Sequence, residues 1–360
     1  MDKSLLDLYA DYLISSFGPT TATGLSRLLQ SGISHDRITR FLSGQTLTSA
    51  HLWQMVKPLV RQVQTSDAVL IIDDSIEEKP YTDENELVCW HYNHSKESLV
   101  KGINFLTTLY PSGDVSLPVA FALVTKPLTV IDKKTGKPKK KSEVTKNEHY
   151  RTMLQACADN QIPFRYVLND VWFSAAENMT FIKLDLKKDF VMPLKSNRKV
   201  ALSLEDKRHR LYQAVETLSL EPGAMQEVHL EGVSFPLLLV KQVFTNKDGS
   251  QGILYLVSSD GTLTYEQVTT LYQKRWKVEE FHKSLKQNAS LAKSPTRRVV
   301  TQRNHFFCCL CAFVKLESLK MQSALNHFAL KSKLYVSALQ SAFGHLQKLA
   351  PANLMPGGFA

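Results

Sequence analysis

The segment Tyr272-Gln-Lys-Arg-Trp-Lys-Val-Glu-Glu-Phe-His-Lys-Ser-Leu-Lys286 sets Tyr272, Arg275, Glu279 and Lys286 at a spacing that suits one helix face. At about 100° per residue these four side chains project as a stripe about 60° wide. Leu271, Val278, Leu285 and Ala289 form an adjoining apolar stripe fit to dock on a sheet. The polar stripe then borders the buried face, where a carboxylate can point into a site. Glu280 falls about 100° away from Glu279, which leaves Glu279 as the candidate. A solvated amphipathic helix with internal Glu–Lys pairs is the alternative.

Two further acidic positions stand where sheets place their sites. Ala68-Val-Leu-Ile-Ile72 is a continuous apolar run that stops at Asp73-Asp74-Ser75. Such a run reads as a central strand buried on both faces. Phe164–Asn169 reads as a second, ending at Asp170, with Ser174 capping a helix to about Leu186. In open α/β sheets, sites gather at strand carboxyl ends. Leu99–Tyr110 and Val115–Val124 read as further strands, and Asn147–Asn160 as a helix. Val228–Leu230, Phe235–Phe244 and Gly252–Val257 read as strands of a β-rich insertion, with Asn246–Gly249 as a hairpin turn.

The expected architecture is α/β: a mixed sheet flanked by helices, interrupted by that insertion and preceded by a helical domain. The expected divisions are 1–65 helical, 66–189 core, 190–262 β-rich insertion, 263–322 second part of the core with Glu279, and 323–360 a helical C-terminal segment. Within 1–65, Thr23–Gln30 and Asp36–Leu42 read as short helices around Ser31-Gly32, with Ser34 as N-cap of the second. That pattern suits a helix-turn-helix in which Ser34, His35, Arg37 and Arg40 face DNA. A small bundle with a wet polar face is the other reading.

Lys plus Arg total 44 against 34 Asp plus Glu, a net charge of +10, which suits a polyanionic partner. Six lysines fall within 132–141, read as a solvated loop able to hold phosphates without sequence preference. The five cysteines are too few for a disulfide framework, and Cys308, Cys309 and Cys311 read as core residues of a buried helix over Val299–Met321. Neither a signal peptide nor an apolar membrane span is read, so a cytoplasmic protein is expected. Core packing is expected for Trp172 and Phe173, though these and Trp276 also suit stacking on an extruded base. His91, His94 and His282 read as polar loop or surface residues, since no HxxxH pair accompanies them.

The Tyr-x2-Arg-x3-Glu-x6-Lys pattern at 272, 275, 279 and 286 resembles the signature of bacterial cut-and-paste transposases of insertion-sequence family four. These are DDE transposases with an RNase H-like core. Asp73 with Ser75, and Asp170 with Val171-Trp-Phe-Ser174, also resemble that group, as does the β-rich insertion before the glutamate. The resemblance covers about residues 20–320. It implies an RNase H-like core with catalytic, metal-holding Asp73, Asp170 and Glu279, Asp73 bridging two Mg²⁺ ions, with Mn²⁺ as a substitute. It leaves open a one-residue shift to Asp74. It further implies Tyr272, Arg275 and Lys286 on DNA phosphates, double-stranded DNA as terminal inverted repeats and target, a homodimer on paired ends, a nucleoid location and no membrane. Two metal ions about 3.5–4 Å apart serve such chemistry by activating water or a 3′-hydroxyl and stabilising the leaving oxygen.

Overall fold

The computed structural model describes residues 2–349 apart from residues 95, 134, 135 and 247. Helices α1 (Lys3–Ser15), α2 (Ala22–Leu28), α3 (His35–Ser43) and α4 (Ser49–Val63) come first. Strands β1 (Val69–Glu78), β2 (Cys89–Asn93), β3 (Ser98–Ser112), β4 (Val115–Leu123), β5 (Leu128–Ile131) and β6 (Pro138–Lys141) follow. Helix α5 (Lys146–Asp159) leads to β7 (Tyr166–Asn169), α6 (Ala176–Thr180), β8 (Asp189–Leu194), β9 (Lys199–Ala201) and α7 (Leu204–Arg208). Then come β10 (Gln213–Ala214), β11 (Met225–Leu230), β12 (Leu237–Thr245) and β13 (Gln251–Ser258). The chain continues in α8 (Tyr265–Gln273), α9 (Trp276–Gln287), α10 (Val299–Ser323) and α11 (His327–Leu349).

The chain divides into two compact units. One contains residues up to Gln45, Ser284–Pro295 and the chain from Cys308. Its core joins Tyr9 and Leu13 of α1, Ile38 of α3 and Cys308–Val314 with Leu316 of α10, all buried. Thr21 and Ser34 cap α2 and α3 by accepting from Gly24 N–H and Arg37 N–H, the side-chain capping expected for Ser34. Lys315 holds α1 through Asp7 and Asp11 at 2.8 and 2.7 Å.

The other unit, Thr46–Lys283 with Thr296–Phe307, carries an 11-stranded mixed sheet. The strand order is β10-β9-β11-β12-β13-β8-β7-β1-β3-β2, with β4 also on β3. β1 runs parallel to β7 and β7 to β8, while β1–β3 and β3–β4 are antiparallel. The five strands β4-β3-β1-β7-β8 with their flanking helices make the RNase H-like mixed sheet. Val69–Ile72 are fully buried, as a strand covered on both faces requires. Gly102 permits the close approach of β3 to β1, since a Cβ there would collide with the Glu77 carbonyl oxygen. Helix α4 belongs to this unit and packs on β4, so residues 1–65 are divided between the two units.

The three expected strands of 228–257 form as β11, β12 and β13 and extend the same sheet rather than standing apart from it. The buried helix over 299–321 forms as α10, and all five cysteines are free and buried. Among the described residues no helix is long and apolar enough to cross a membrane.

Several expectations are corrected. The lysine-rich segment is not a plain loop: β5 and β6 pair as a hairpin, Leu128 opposite Lys141. Lys134 lies outside the described residues, as do residues 350–360 of the expected C-terminal segment. Asp73 does not end its strand, because antiparallel pairing of β1 with β3 continues to Glu78. Ser174 does not begin the helix that follows but closes the preceding 3-10 turn as its C-cap. A 3-10 turn over Val171–Phe173 comes first, α6 has Ala175 as its N-cap, and a π-helical turn Phe181–Asp185 extends it. The expected continuous helix over 272–286 is broken between α8 and α9 at Lys274–Arg275.

Candidate active site

Asp73 sits where β1 loses one neighbour and keeps the other. Its parallel pairing with β7 ends at Ile72 opposite Asn169, while Asp73 still faces Thr107 of β3. Beyond Asn169 the chain leaves the sheet, and Asp170 begins the 3-10 turn by accepting Trp172 N–H on Oδ1 at 2.8 Å. Loss of one neighbour opens the sheet beside Asp73, and the next residue of the departing strand is Asp170.

The third carboxylate arrives from the helical side. At the α8–α9 break, Arg275 N–H donates to Tyr272 O at 2.9 Å and Val278 N–H to Arg275 O at 3.0 Å. These i to i−3 bonds tighten the turn yet keep the three polar residues together. The Arg275 guanidinium carbon lies 5.8 Å from the Tyr272 ring centroid. Its Nη1 lies 3.5 Å from Asp73 Oδ2 and 3.3 Å from Glu279 Oε1. One guanidinium therefore bridges the sheet carboxylate and the helix carboxylate. Of the expected apolar stripe Val278, Leu285 and Ala289 are buried, joined by Phe281, while Leu271 is only partly buried.

Burial and the neighbouring Asp74 push the Asp73 carboxyl up to about 8, with Asp170 adding to the rise and Arg275 opposing it. At neutral pH and without a bound cation, Asp73 is thus mostly protonated. Burial also pushes the Tyr272 hydroxyl up to about 12, Arg275 opposing and Asp170 and Asp73 adding. Tyr272 therefore stays a hydrogen-bond donor across the useful pH range.

Asp74 points to the other face of the strand, as alternation demands. Its Oδ2 accepts from Lys146 Nζ at 2.6 Å and Asn104 Nδ2 at 2.8 Å. Asp74 thus has a lysine at 2.6 Å, whereas Asp73 shares the more distant Arg275 with Glu279. Glu280 pairs with Lys277 at 3.4 Å on a more exposed face.

Asp73, Asp170, Tyr272, Arg275 and Glu279 are brought together. Lys286 is partly buried, seven residues beyond Glu279 on α9, or about 10 Å along the axis. His35, Arg37 and Arg40 lie exposed on α3, where His35 pairs with Asp36 at 3.0 Å and Arg37 with Asp2 at 3.1 Å. Trp276 is exposed at the start of α9.

The aromatic and histidine expectations are partly overturned. Phe173 is buried and stacked on Tyr150, but Trp172 is half-exposed because the 3-10 turn swings it outward. His91 and His282 are buried rather than on the surface: His91 on the inward side of β2, His282 against Phe105. Lys146, which pairs with Asp74 across 72 residues of chain, carries no local sequence signal for that role.

The three carboxylates offer an all-oxygen donor set, the type hard divalent cations prefer. Among the described residues, no three acidic, histidine or cysteine side chains already stand at metal-binding separation. Arg275 supplies the positive charge between Asp73 and Glu279. A buried carboxyl held protonated beside two other carboxylates is a group that a cation would ionise, so the residues fit a divalent ion in chemistry and charge.

A family model described as DDE superfamily endonuclease matches residues 2–212, which include Asp73 and Asp170. A second, described as Transposase DDE domain, matches residues 121–314, which include Asp170 and Glu279. None of the curated proteins compared matches the chain.

Proposed function

Since the chain belongs to the DDE superfamily endonucleases, with a transposase DDE domain, we propose that it is a cut-and-paste DNA transposase. It binds the terminal inverted repeats of its element as a homodimer on paired ends, cleaves them, and joins the 3′-hydroxyls to target DNA. The supporting observation is that one guanidinium, Arg275, lies between Asp73 and Glu279, from segments about two hundred residues apart, while Asp170 is near enough to raise the Asp73 carboxyl. Asp73 rather than Asp74 is the first carboxylate of the set, because Lys146 and Asn104 already satisfy Asp74.

Two Mg²⁺ ions, with Mn²⁺ as a substitute, would be held by Asp73, Asp170 and Glu279 and would supply charge neutralisation and activation of the attacking oxygen. Asp73 releases its proton when a cation takes up its charge. Arg275 exchanges carboxylate oxygens for phosphate oxygens as DNA enters, and Tyr272 donates its hydroxyl hydrogen to the same backbone. Lys286, further along α9, meets the phosphates beside the cut. His35, Arg37 and Arg40 on α3 read the terminal repeats, in the manner of a recognition helix.

The deciding experiment incubates protein, Mg²⁺ and the DNA that flanks its own gene, then maps cuts and joints. Cuts at the element ends with joined products are expected. Cuts without joints support a metal nuclease on the same core, and repeat binding without cuts supports a non-catalytic descendant.

Metal dependence is read without activity as well. Millimolar Mg²⁺ or Mn²⁺ should raise the melting temperature of the DNA-free protein, because an ion that binds only the folded state stabilises it. Asp73→Asn should abolish most of that rise; an equal rise in the variant would place the ion elsewhere. A separate expectation concerns α3. Arg37→Ala and Arg40→Ala should each weaken binding to the repeats and lower the slope of log affinity against log salt by roughly one. Unchanged footprints and slopes would remove α3 from the DNA interface.

A further inference from the structure

We propose that four outward rings, Trp90, Tyr92, His94 and Trp172, form a track that binds unpaired DNA by base stacking. The proposal rests on the DNA-cleaving reading above but concerns residues outside its signature. Strand β2 ends the strand order of the sheet, and its side chains alternate. Cys89 and His91 turn inward and are buried, while Trp90 and Tyr92 turn outward and are 48% and 51% exposed. The Tyr92 ring lies 4.9 Å from His94, and His94 lies 5.4 Å from Trp172, itself 47% exposed. A run of contiguous half-exposed rings leaves apolar faces in water, which marks a binding surface rather than a core.

Cations line the same rings. Lys101 lies over Trp90 at 5.9 Å, and Lys126 Nζ donates to the Trp90 carbonyl oxygen at 2.6 Å. Lys146 lies over Trp172 at 5.8 Å while pairing with Asp74. Aromatic faces interleaved with lysines suit a polyanion whose bases are available to stack.

Spacing selects which form of DNA fits. Successive outward residues on a strand are about 6.6 Å apart. Stacked bases in a duplex strand rise about 3.4 Å. Trp90 and Tyr92 therefore match an extended single strand, in which bases are pulled apart, and not a stacked duplex. The track ends two residues from Asp170, whose Oδ1 accepts the Trp172 backbone N–H at 2.8 Å. Bases unpaired beside a cut phosphate would meet Trp172 first and run outward to Tyr92 and Trp90.

The test uses the full chain without divalent metal, so that no cleavage intervenes. Fluorescein-labelled oligo(dT) and a duplex of equal length are titrated by anisotropy, with tryptophan quenching as a second signal. Trp172→Ala, Tyr92→Ala and Trp90→Ala should each weaken oligo(dT) binding by about tenfold or more, and duplex binding by about twofold or less. Trp172→Phe should keep most of the affinity. The rings are exposed, so unchanged melting temperatures are expected and are measured alongside. Alanine variants that bind oligo(dT) like the wild type, or that lose duplex and oligo(dT) affinity in parallel, overturn the track. Failure of the DNA-cleaving reading is a different result: wild-type protein that leaves duplex ends uncut with Mg²⁺ present.

Discussion

Asp73→Asn should abolish cleavage and at the same time stabilise the metal-free protein above neutral pH. Each part follows from one environment. Asp73 is buried, lies beside Asp74 and Asp170, and has its carboxyl pushed up to about 8. Losing the carboxylate removes charge neutralisation worth several kcal/mol at the reacting phosphate, or about a thousandfold or more in rate. Asp170→Asn and Glu279→Gln should be similarly inactive, and Glu280→Gln should cleave normally. For stability, the folded state holds the Asp73 proton more tightly than the unfolded chain does. The stabilisation due to the neutral carboxyl is therefore complete below the unfolded pKa, near 4, and is lost as pH rises through about 8. Asparagine keeps the shape and cannot ionise. The melting advantage of Asp73→Asn should be absent near pH 4, grow through neutrality and level off above pH 8. Thermal melts across pH 4–9 without metal, beside single-turnover cleavage with Mg²⁺, test both halves. An active variant, or one that melts below wild type at pH 8, refutes this account of Asp73. Asp74→Asn is the contrasting control, for it strips Lys146 of its partner and should lower the melting temperature instead.

The parts of this site that sequence makes legible are those with local causes. Val69–Ile72 are apolar without alternation because both faces are covered, so β1 can be read from four residues. Val278 and Leu285 are apolar because α9 docks by that side, which phases Glu279 against Glu280. What escapes is set by distant partners. The strand continues past Asp73 because β3 goes on pairing after β7 has left, and no residue near Asp73 announces that. The break at Lys274–Arg275 has no glycine or proline to mark it. Its i to i−3 bonds preserve the Tyr272–Arg275–Glu279 cluster, so the face survives although the helix does not. Trp172 reads as core by composition, and only the 3-10 turn started by Asp170 explains its exposure. Lys146 follows a capping threonine like many helix-starting lysines, and its hold on Asp74 exists only in the folded chain.

Arg275→Ala should separate metal holding from DNA positioning, because the two demands pull in opposite directions at this residue. Arg275 lies 3.5 Å from Asp73 and 3.3 Å from Glu279, so in the free protein its guanidinium competes with a divalent ion for the same oxygens. Removing it frees both carboxylates and takes away a repelling charge, so Mn²⁺ should bind the variant more tightly than the wild type. Cleavage should nevertheless fall by about 10²-fold, since the phosphate loses the fork that fixes it against the attacking oxygen. The salt slope of DNA binding should drop by roughly one. Arg275→Lys keeps the charge without the planar fork and should retain the slope while recovering little of the rate. Calorimetric Mn²⁺ titration and single-turnover cleavage at saturating protein measure the two effects on the same preparations. Weaker Mn²⁺ binding would make Arg275 a support of the metal site and not its competitor. Unchanged cleavage and salt slope would reduce Tyr272, Arg275 and Glu279 to a solvated helix face that happens to lie beside Asp73.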